Sequence, residues 1–339
     1  MKGIKFLFAL AATFIFGGAL ASTMGINPAI GAGGVGVTSM FVSQTGVAFA
    51  GLTKEIWLNE LKEDFSGDDV WISELKDYSA FVDHDVINLA EAGVAPEVLV
   101  DNTTYPIPKA DRADQALTLE LRRFDTENTS LKHADRVELA YNKLESIVGQ
   151  HKEALRMAFM EVGAHAIAPT ADGQYTPIRT STGADIGNGY KRLKFADLLA
   201  MRTAFNQAEI PQQGRIVLLS TQHDEDLRLE DQDKYDKMMD KGMIAGFKIY
   251  DQADKRLPQY DTATGNKVAY GATAPATAVS ASVFFSKNEV MRAVGTDDMF
   301  HGKAEDNPTT REDVIGFARR GLILPIRNKG IGAIYSSAV

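Results

Sequence analysis

The sequence predicts an α+β fold in which strands are segregated from one dominant helix. Three observations carry that prediction. From about Ser130 to Ala168, apolar residues recur at Val137, Tyr141, Leu144, Val148, Leu155, Phe159, Val162 and Ala166. Their spacing of three, four or seven marks one face of an α-helix. Beyond Pro211, short apolar runs bounded by turn residues (RIVLLS, GMIAGFKIYD, SASVFFSKNEVMRAV and DVIGFARRGLILPIRNKGIGAIY) read as strands. Finally, 45% hydrophobic and 24% charged residues over 339 positions fit a globular chain long enough for two or three packed units, and no fixed-period repeat is present.

The elements follow in order. Residues 1–21 hold two lysines, an apolar run from Phe6 to Ala21 and a small-x-small ending at Ala19-Leu20-Ala21, the pattern of a secretory signal peptide. That run is just under spanning length. Residues 22–52, rich in Gly, Ala, Val, Thr and Ser, read as a flexible or extended arm. Charge and aromatic content rise abruptly at Thr53, and 53–66 (TKEIWLNELKEDFS) reads as a short amphipathic helix opening a segment that runs to 95. Within 96–130, Pro106 and Pro108 stop any helix, and Leu117, Leu119 and Leu121 alternate with polar residues. Pro96 to Phe124 is thus expected to form a long, projecting β-hairpin or extended loop. The periodic helix dominates 131–190 and stops at Pro169. Roughly 35 residues would give it a length of roughly 50 Å; Gly149 and Gly163 are places where it could bend. Residues 191–275 carry a helix (KFADLLAMRTAFNQAEI), the buried strand RIVLLS, a charged helical stretch and a further strand, and 276–339 is strand-rich.

Composition excludes several classes of function. The net charge is −9, and the first fifty residues contribute two lysines and no acid, so the body is more acidic still. That balance argues against tight, sequence-independent nucleic-acid binding, which needs clustered Lys and Arg, but not against a protein that surrounds nucleic acid. There is no cysteine, hence no disulfide framework, thiolate nucleophile or Cys-based metal site. GAGGVG fits G-x-G-x-x-G at Gly31, Gly33 and Gly36 but lacks the preceding strand and following helix that a dinucleotide site needs. Asp83-His84-Asp85 and His223-Asp224-Glu225-Asp226 set metal-ligand residue types side by side, yet sequence neighbours point in different directions and seldom converge on one ion. No H-E-x-x-H, G-x-S-x-G or P-loop occurs. No catalytic, cofactor-binding or metal-binding residue is expected.

The order of elements (arm, short helix, projecting loop, spine helix, α/β part, strand-rich end) resembles the major capsid proteins of tailed bacteriophages, the Hong Kong 97-type fold. The likeness spans roughly residues 53–339. EIWLNELKE and FVDHDVINLAEAGVAPEVLVDNTTYPIP resemble the approach to the extended loop. LRRFDTENTSLKHADRVELAYNKLESIVGQHKEAL resembles its return into the spine helix. IPQQGRIVLLSTQHDEDLRLED with GMIAGFKIY resembles axial-domain strands, and ASVFFSKNEVMRAVGTDDMF with EDVIGFARRGLILPIRNKGIGAI the peripheral-domain end. The phrases are similar above all to coat proteins of phages infecting Bacteroidetes-type hosts.

The resemblance implies an α+β capsid fold with N-terminal arm (22–52), extended β-loop (96–130), long spine helix with part of the peripheral domain (131–190), axial domain (191–275) and peripheral-domain return (276–339). It implies a non-enzymatic structural subunit, assembling with itself into pentamers and hexamers of an icosahedral shell around phage DNA. Portal, scaffolding or decoration proteins would be further partners, with assembly in the host cytoplasm and no stable membrane insertion. The expected inter-subunit residues are Thr103, Tyr105, Lys109, Arg112 and Leu117 of the loop and Glu225, Arg228, Glu230 and Asp236 of the charged region. Some shells of this family form isopeptide cross-links between a loop Lys and a neighbour's Asn; Lys109 and Asn328 show no positional match to that chemistry. Two rivals stand beside this reading: an exported periplasmic binding protein or enzyme, from the signal-like front, and an encapsulin-like compartment shell. On the capsid reading, 1–21 becomes a removable assembly region or an apolar arm lying under neighbouring subunits.

Overall fold

The long helix organises the molecule. The computed structural model describes residues 71–91, 98–103, 105–107, 115–132, 142–185, 187, 189–303, 306, 309 and 312–339, all within one unit, Leu61–Val339. The expected arm and the helix at 53–66 lie outside the described residues.

Helix α1 (Asn142–Ile167) runs unbroken for 26 residues, about 39 Å, without a break at Gly149 or Gly163. At the expected start of the helix, near Ser130, the chain is instead extended: Thr129–Lys132 form a strand that pairs with residues 312–315. Leu131 in that strand is buried: its apolar side chain serves the sheet, where the sequence pattern had assigned it to the helix.

The described strands form three sheets. The strands before it are β1 (Lys76–Asp77), β2 (Val82–Asp83), β3 (Val86–Glu91), β4 (Gln115–Glu120), β5 (Arg122–Asp125) and β6 (Thr129–Lys132). After it come β7 (Ile178–Thr180), α2 (Phe195–Gln207), β8 (Arg215–Ser220), α3 (Thr221–Glu230), α4 (Gln232–Met239), β9 (Met243–Ile244), β10 (Phe247–Gln252) and β11 (Gln259–Asp261). Four strands close the chain: β12 (Ala278–Ser286), β13 (Val290–Gly302), β14 (Glu312–Pro325) and β15 (Ile331–Tyr335). β2, β3 and β4 make an antiparallel three-stranded sheet. β1, β13, β14, β5 and β6 make a five-stranded sheet, against whose long strand β14 the helix packs. The remaining strands form a seven-stranded sheet in the order β7-β15-β12-β8-β10-β9, with β11 on β12. The strands of 276–339 therefore divide: β12 pairs with β8 and β15 with β12 in the seven-stranded sheet, while β13 and β14 belong to the five-stranded one.

RIVLLS shows why this sheet sits at the centre. Period-two alternation sends successive side chains to opposite faces. Ile216 and Leu218 join a core with Trp71, Phe159, Val283, Phe285 and Ile323. Val217 and Leu219 join a second core with Leu198, Met201, Phe205, Phe247 and Phe284. Helices α3 and α4 provide the crossover that parallel β8 and β10 require.

Candidate functional site

The projecting element is a hairpin with a fixed foot. His84 and Asp85 both adopt positive φ, 47° and 66°, the geometry of a tight two-residue turn between antiparallel strands. The turned-out Asp85 carboxylate pairs with Arg320 of β14. The Leu121 amide donates to Asp85 O at 2.9 Å, the Val294 amide donates to Ser79 Oγ at 2.9 Å, and Arg292 Nη2 lies 3.3 Å from Asp77 Oδ2. The foot is thereby tied to the five-stranded sheet. Beyond it β3 and β4 stay paired from Val86↔Glu120 to Glu91↔Gln115. The hairpin thus starts well before Pro96, where the prolines had placed it, because VINLAE supplies its first strand.

The chain joining β3 to β4 exposes apolar side chains: Val98 (83%), Val100 (80%), Tyr105 (75%) and Ile107 (55%). Apolar residues gathered on one loop mark an interaction surface. Thr103 and Tyr105 are exposed here, and Leu117 lies on β4 opposite Leu89. Lys109 and Arg112 lie outside the described residues.

The charged region Glu225–Asp240 divides between internal and external work. Ser220 caps α3 by accepting from the His223 amide, and Asp231 caps α4 by accepting from the Lys234 amide. Arg228 lies 4.9 Å over the Tyr235 ring and 3.1 Å from Asp224 Oδ2, and the Tyr235 hydroxyl donates to Asp224. Burial and the Asp224 carboxylate push the Tyr235 phenol up to about 12. Glu230 Oε2 accepts from the Phe195 amide at 2.7 Å, and Asp226 Oδ2 from the Leu193 amide at 2.9 Å, fastening α3 to the start of α2. Arg228 and Glu230 thus make intramolecular contacts, while Glu225 and Asp236 are exposed.

His223-Asp224-Glu225-Asp226 does not converge. His223 points into the core, with Nδ1 2.7 Å from Ser282 Oγ and Nε2 3.1 Å from Ser336 Oγ. Burial holds its pKa down at about 4. Serine and histidine meet here as in a nucleophile–base pair, but His223, Ser282 and Ser336 are each 1% exposed or less, so no substrate reaches them. Sequence offered no signal for this network, whose members are brought together from α3, β12 and the end of β15. Among the described residues no group of three His, Asp or Glu is placed to hold a metal ion, and no helix is long and apolar enough to cross a membrane.

A groove of ≈450 Å³ opens between α1 and the β5–β6 turn, lined by Phe124, Thr126, Glu127, His151, Ala154 and Ala158 among others. His151 is 6% exposed, and its Nε2 has no hydrogen-bond partner.

Taken as a whole, the fold matches solved structures over most of its length. The capsid of Ralstonia phage GP4 matches with a TM-score of 0.57 at 9% identity, over 81% of this chain and 88% of that one. The capsid of cyanophage P-SCSP1u matches with a TM-score of 0.54 at 13% identity, over 77% and 86%. The fold is the Hong Kong 97-type capsid fold. A virus-like particle from Pyrococcus furiosus shares it, with a TM-score of 0.50 at 9% identity over 81% and 96% of the two chains. No protein-family model and no curated protein matches the sequence. On this capsid fold the groove and the apolar loop are the described features that a lone subunit leaves open.

Proposed function

We propose that this chain is the major capsid subunit of a tailed phage, assembling with itself into pentamers and hexamers of an icosahedral shell that encloses DNA. The observation that carries the reading is the capsid fold over about four-fifths of the chain joined to a hairpin whose loop holds its apolar residues in solvent. Ordering such a loop in a monomer gives no burial to offset the lost entropy; against a neighbour it does. On this reading residues 191–275 with α2–α4 would form the axial domain and α1 the spine, with the peripheral domain built around the five-stranded sheet; β12 and β15 of 276–339, expected in the peripheral return, pair instead into the seven-stranded sheet. On this reading the subunit is structural, and the buried His223–Ser282–Ser336 network braces its core. Assembly in the host cytoplasm fits an acidic subunit that surrounds DNA without clinging to it.

A compartment shell is the second reading, favoured by the likeness to the Pyrococcus particle. Contents separate the two. Particles recovered from a host producing the full phage should protect DNA from nuclease; particles filled with a defined protein and no DNA would support a compartment. The export reading rests on residues 1–21, outside the described residues. Deleting 1–21 should leave a subunit that forms no periplasmic pool and still assembles; an exported, stable monomer from the full chain would contradict the capsid reading.

A further inference from the structure

We infer that residues 262–277, the connection between β11 and β12, are a clasp that closes on the end of α1 and is released by acid, with His165 as the group that senses the proton. The inference stands on the fold and does not depend on the shell reading.

The connection is long for its place. β11 and β12 pair antiparallel from Gln259↔Ser280 to Asp261↔Ala278, and such hairpins are ordinarily closed by about two to five residues. Here the chain first turns back on itself: the Asp261 amide donates to Asn266 O at 2.9 Å, and the Val268 amide to Gln259 O at 2.8 Å. That fold-back carries Lys267 and Val268 to the C-terminal end of α1. From Ala269 to Thr277 every residue is exposed, so the grip on α1 rests on Lys267, Val268 and Tyr270.

Three contacts make the clasp. A helix ends with carbonyls that have no partner in its own ladder. Lys267 Nζ takes two of them, donating to Ala168 O at 2.7 Å and to His165 O. The His165 ring returns the contact, its Nε2 2.9 Å from Val268 O. The Tyr270 ring stands edge-on to the imidazole, with centroids 5.4 Å apart. Beneath them the Tyr260 hydroxyl donates to Pro169 O at 2.5 Å, and Tyr260 is fully buried, so β11 itself stays in place when the clasp opens. The clasp therefore ties a loop of the seven-stranded sheet to the helix that packs on β14 of the five-stranded one.

The surrounding charges set the sign. Lys267 on the clasp and Arg122 on β5 both act on His165. Tyr270 lies against it, and Glu161, one turn earlier on α1, bonds Tyr270. The helix C-terminus favours a charged imidazole. Burial and the two cations oppose it and prevail, holding its pKa below the ordinary value. Burial also brings the Lys267 ammonium down to about 8, which leaves it charged in acid. Protonating His165 with the clasp shut thus adds a third cation beside Lys267 and Arg122. With the clasp open the imidazole meets water and titrates near its ordinary value, about 6.5. The clasp is fully held above that value and loosens as pH falls below it.

Hydrogen exchange of the full-length chain at about pH 7.5 and about pH 5.5, corrected for the intrinsic rate, tests this. Peptides covering 262–277 and the end of α1 should open at least about threefold more often at the lower pH. His165→Gln keeps a donor for Val268 O but takes no proton, and should remove that dependence; His223→Gln should leave it in place. Lys267→Met should open the same peptides at both pH values. The His165 imidazole resonance gives a second readout: it should titrate below the ordinary histidine range in the wild type and rise toward that range in Lys267→Met. Exchange that does not change with pH, the same pH dependence in His165→Gln, or an imidazole that titrates alike with and without Lys267 would overturn the inference.

Discussion

Gly163 of α1 faces Ile323 of β14 with no space for a methyl group between them: a Cβ on Gly163 would lie 2.8 Å from Ile323 Cδ1 and 3.2 Å from its Cβ. The relationship is mirrored two residues back on the strand, where a Cβ on Gly321 would lie 2.6 Å from Phe159 Cε2. One glycine on the helix and one on the strand thus let the spine sit directly on the sheet, each taking the other element's large side chain.

The two helix glycines should respond in opposite directions. Gly163→Ala forces Ile323 out of place, a strain of about 1–3 kcal/mol that exceeds the helix-propensity gain of about 1 kcal/mol. Gly149, where an added Cβ would meet nothing within 4 Å, offers only the gain. Urea unfolding of the unassembled subunit should show Gly149→Ala more stable by about 1 kcal/mol and Gly163→Ala less stable. Equal effects at both positions would refute the close-packing account.

Asp297 and Arg319 pair across β13 and β14 at 3.0 Å, with side chains 0% and 3% exposed, where the strand register shifts between Val294 and Asp297. Removing one partner strands a buried charge. Asp297→Ala should cost about 3–5 kcal/mol, and Asp297→Leu combined with Arg319→Leu should cost less than the sum of the single changes. Strict additivity in a double-mutant cycle would show that the two groups do not interact.

His223 makes the α3 region sensitive to acid. Its folded pKa of about 4 lies below the ordinary 6.5, so between these values the unfolded chain binds the proton first. The stabilisation is complete above about pH 6.5 and is lost as pH falls toward 4, a change of about 3 kcal/mol. His223→Gln should flatten unfolding free energy against pH in that window. An unchanged slope would assign the acid sensitivity to other groups.

The Asp85–Arg320 pair, with side chains about one-third exposed, should be worth about 1 kcal/mol. Arg320→Ala is expected to speed hydrogen exchange at the Leu121 amide, which bonds to Asp85 O, about fivefold. No change there would mean that the strand pairing alone holds the foot.

Much of this fold was legible in the sequence, for a physical reason. RIVLLS is apolar from Ile216 through Leu219 because both faces of β8 are covered, and the period of α1 is visible because one of its faces lies on β14. The pattern failed where short strands borrow their stability from a partner. Thr129–Lys132 is strand only because β14 lies beside it, and β3 exists as the mate of β4. In the charged region, composition could not separate Glu230, spent on the Phe195 amide, from Glu225, left in solvent. The groove was invisible in the sequence: its walls come from α1 and from β5–β6, and His151 looks there like any other helical residue.

Electron microscopy of the purified full chain under assembly conditions tests the central claim most directly. The account predicts closed icosahedral particles built of pentamers and hexamers, with the β3–β4 hairpin of each subunit lying across a neighbour. A chain that remains monomeric at high concentration, with neither particles nor capsomers in the images, would contradict it.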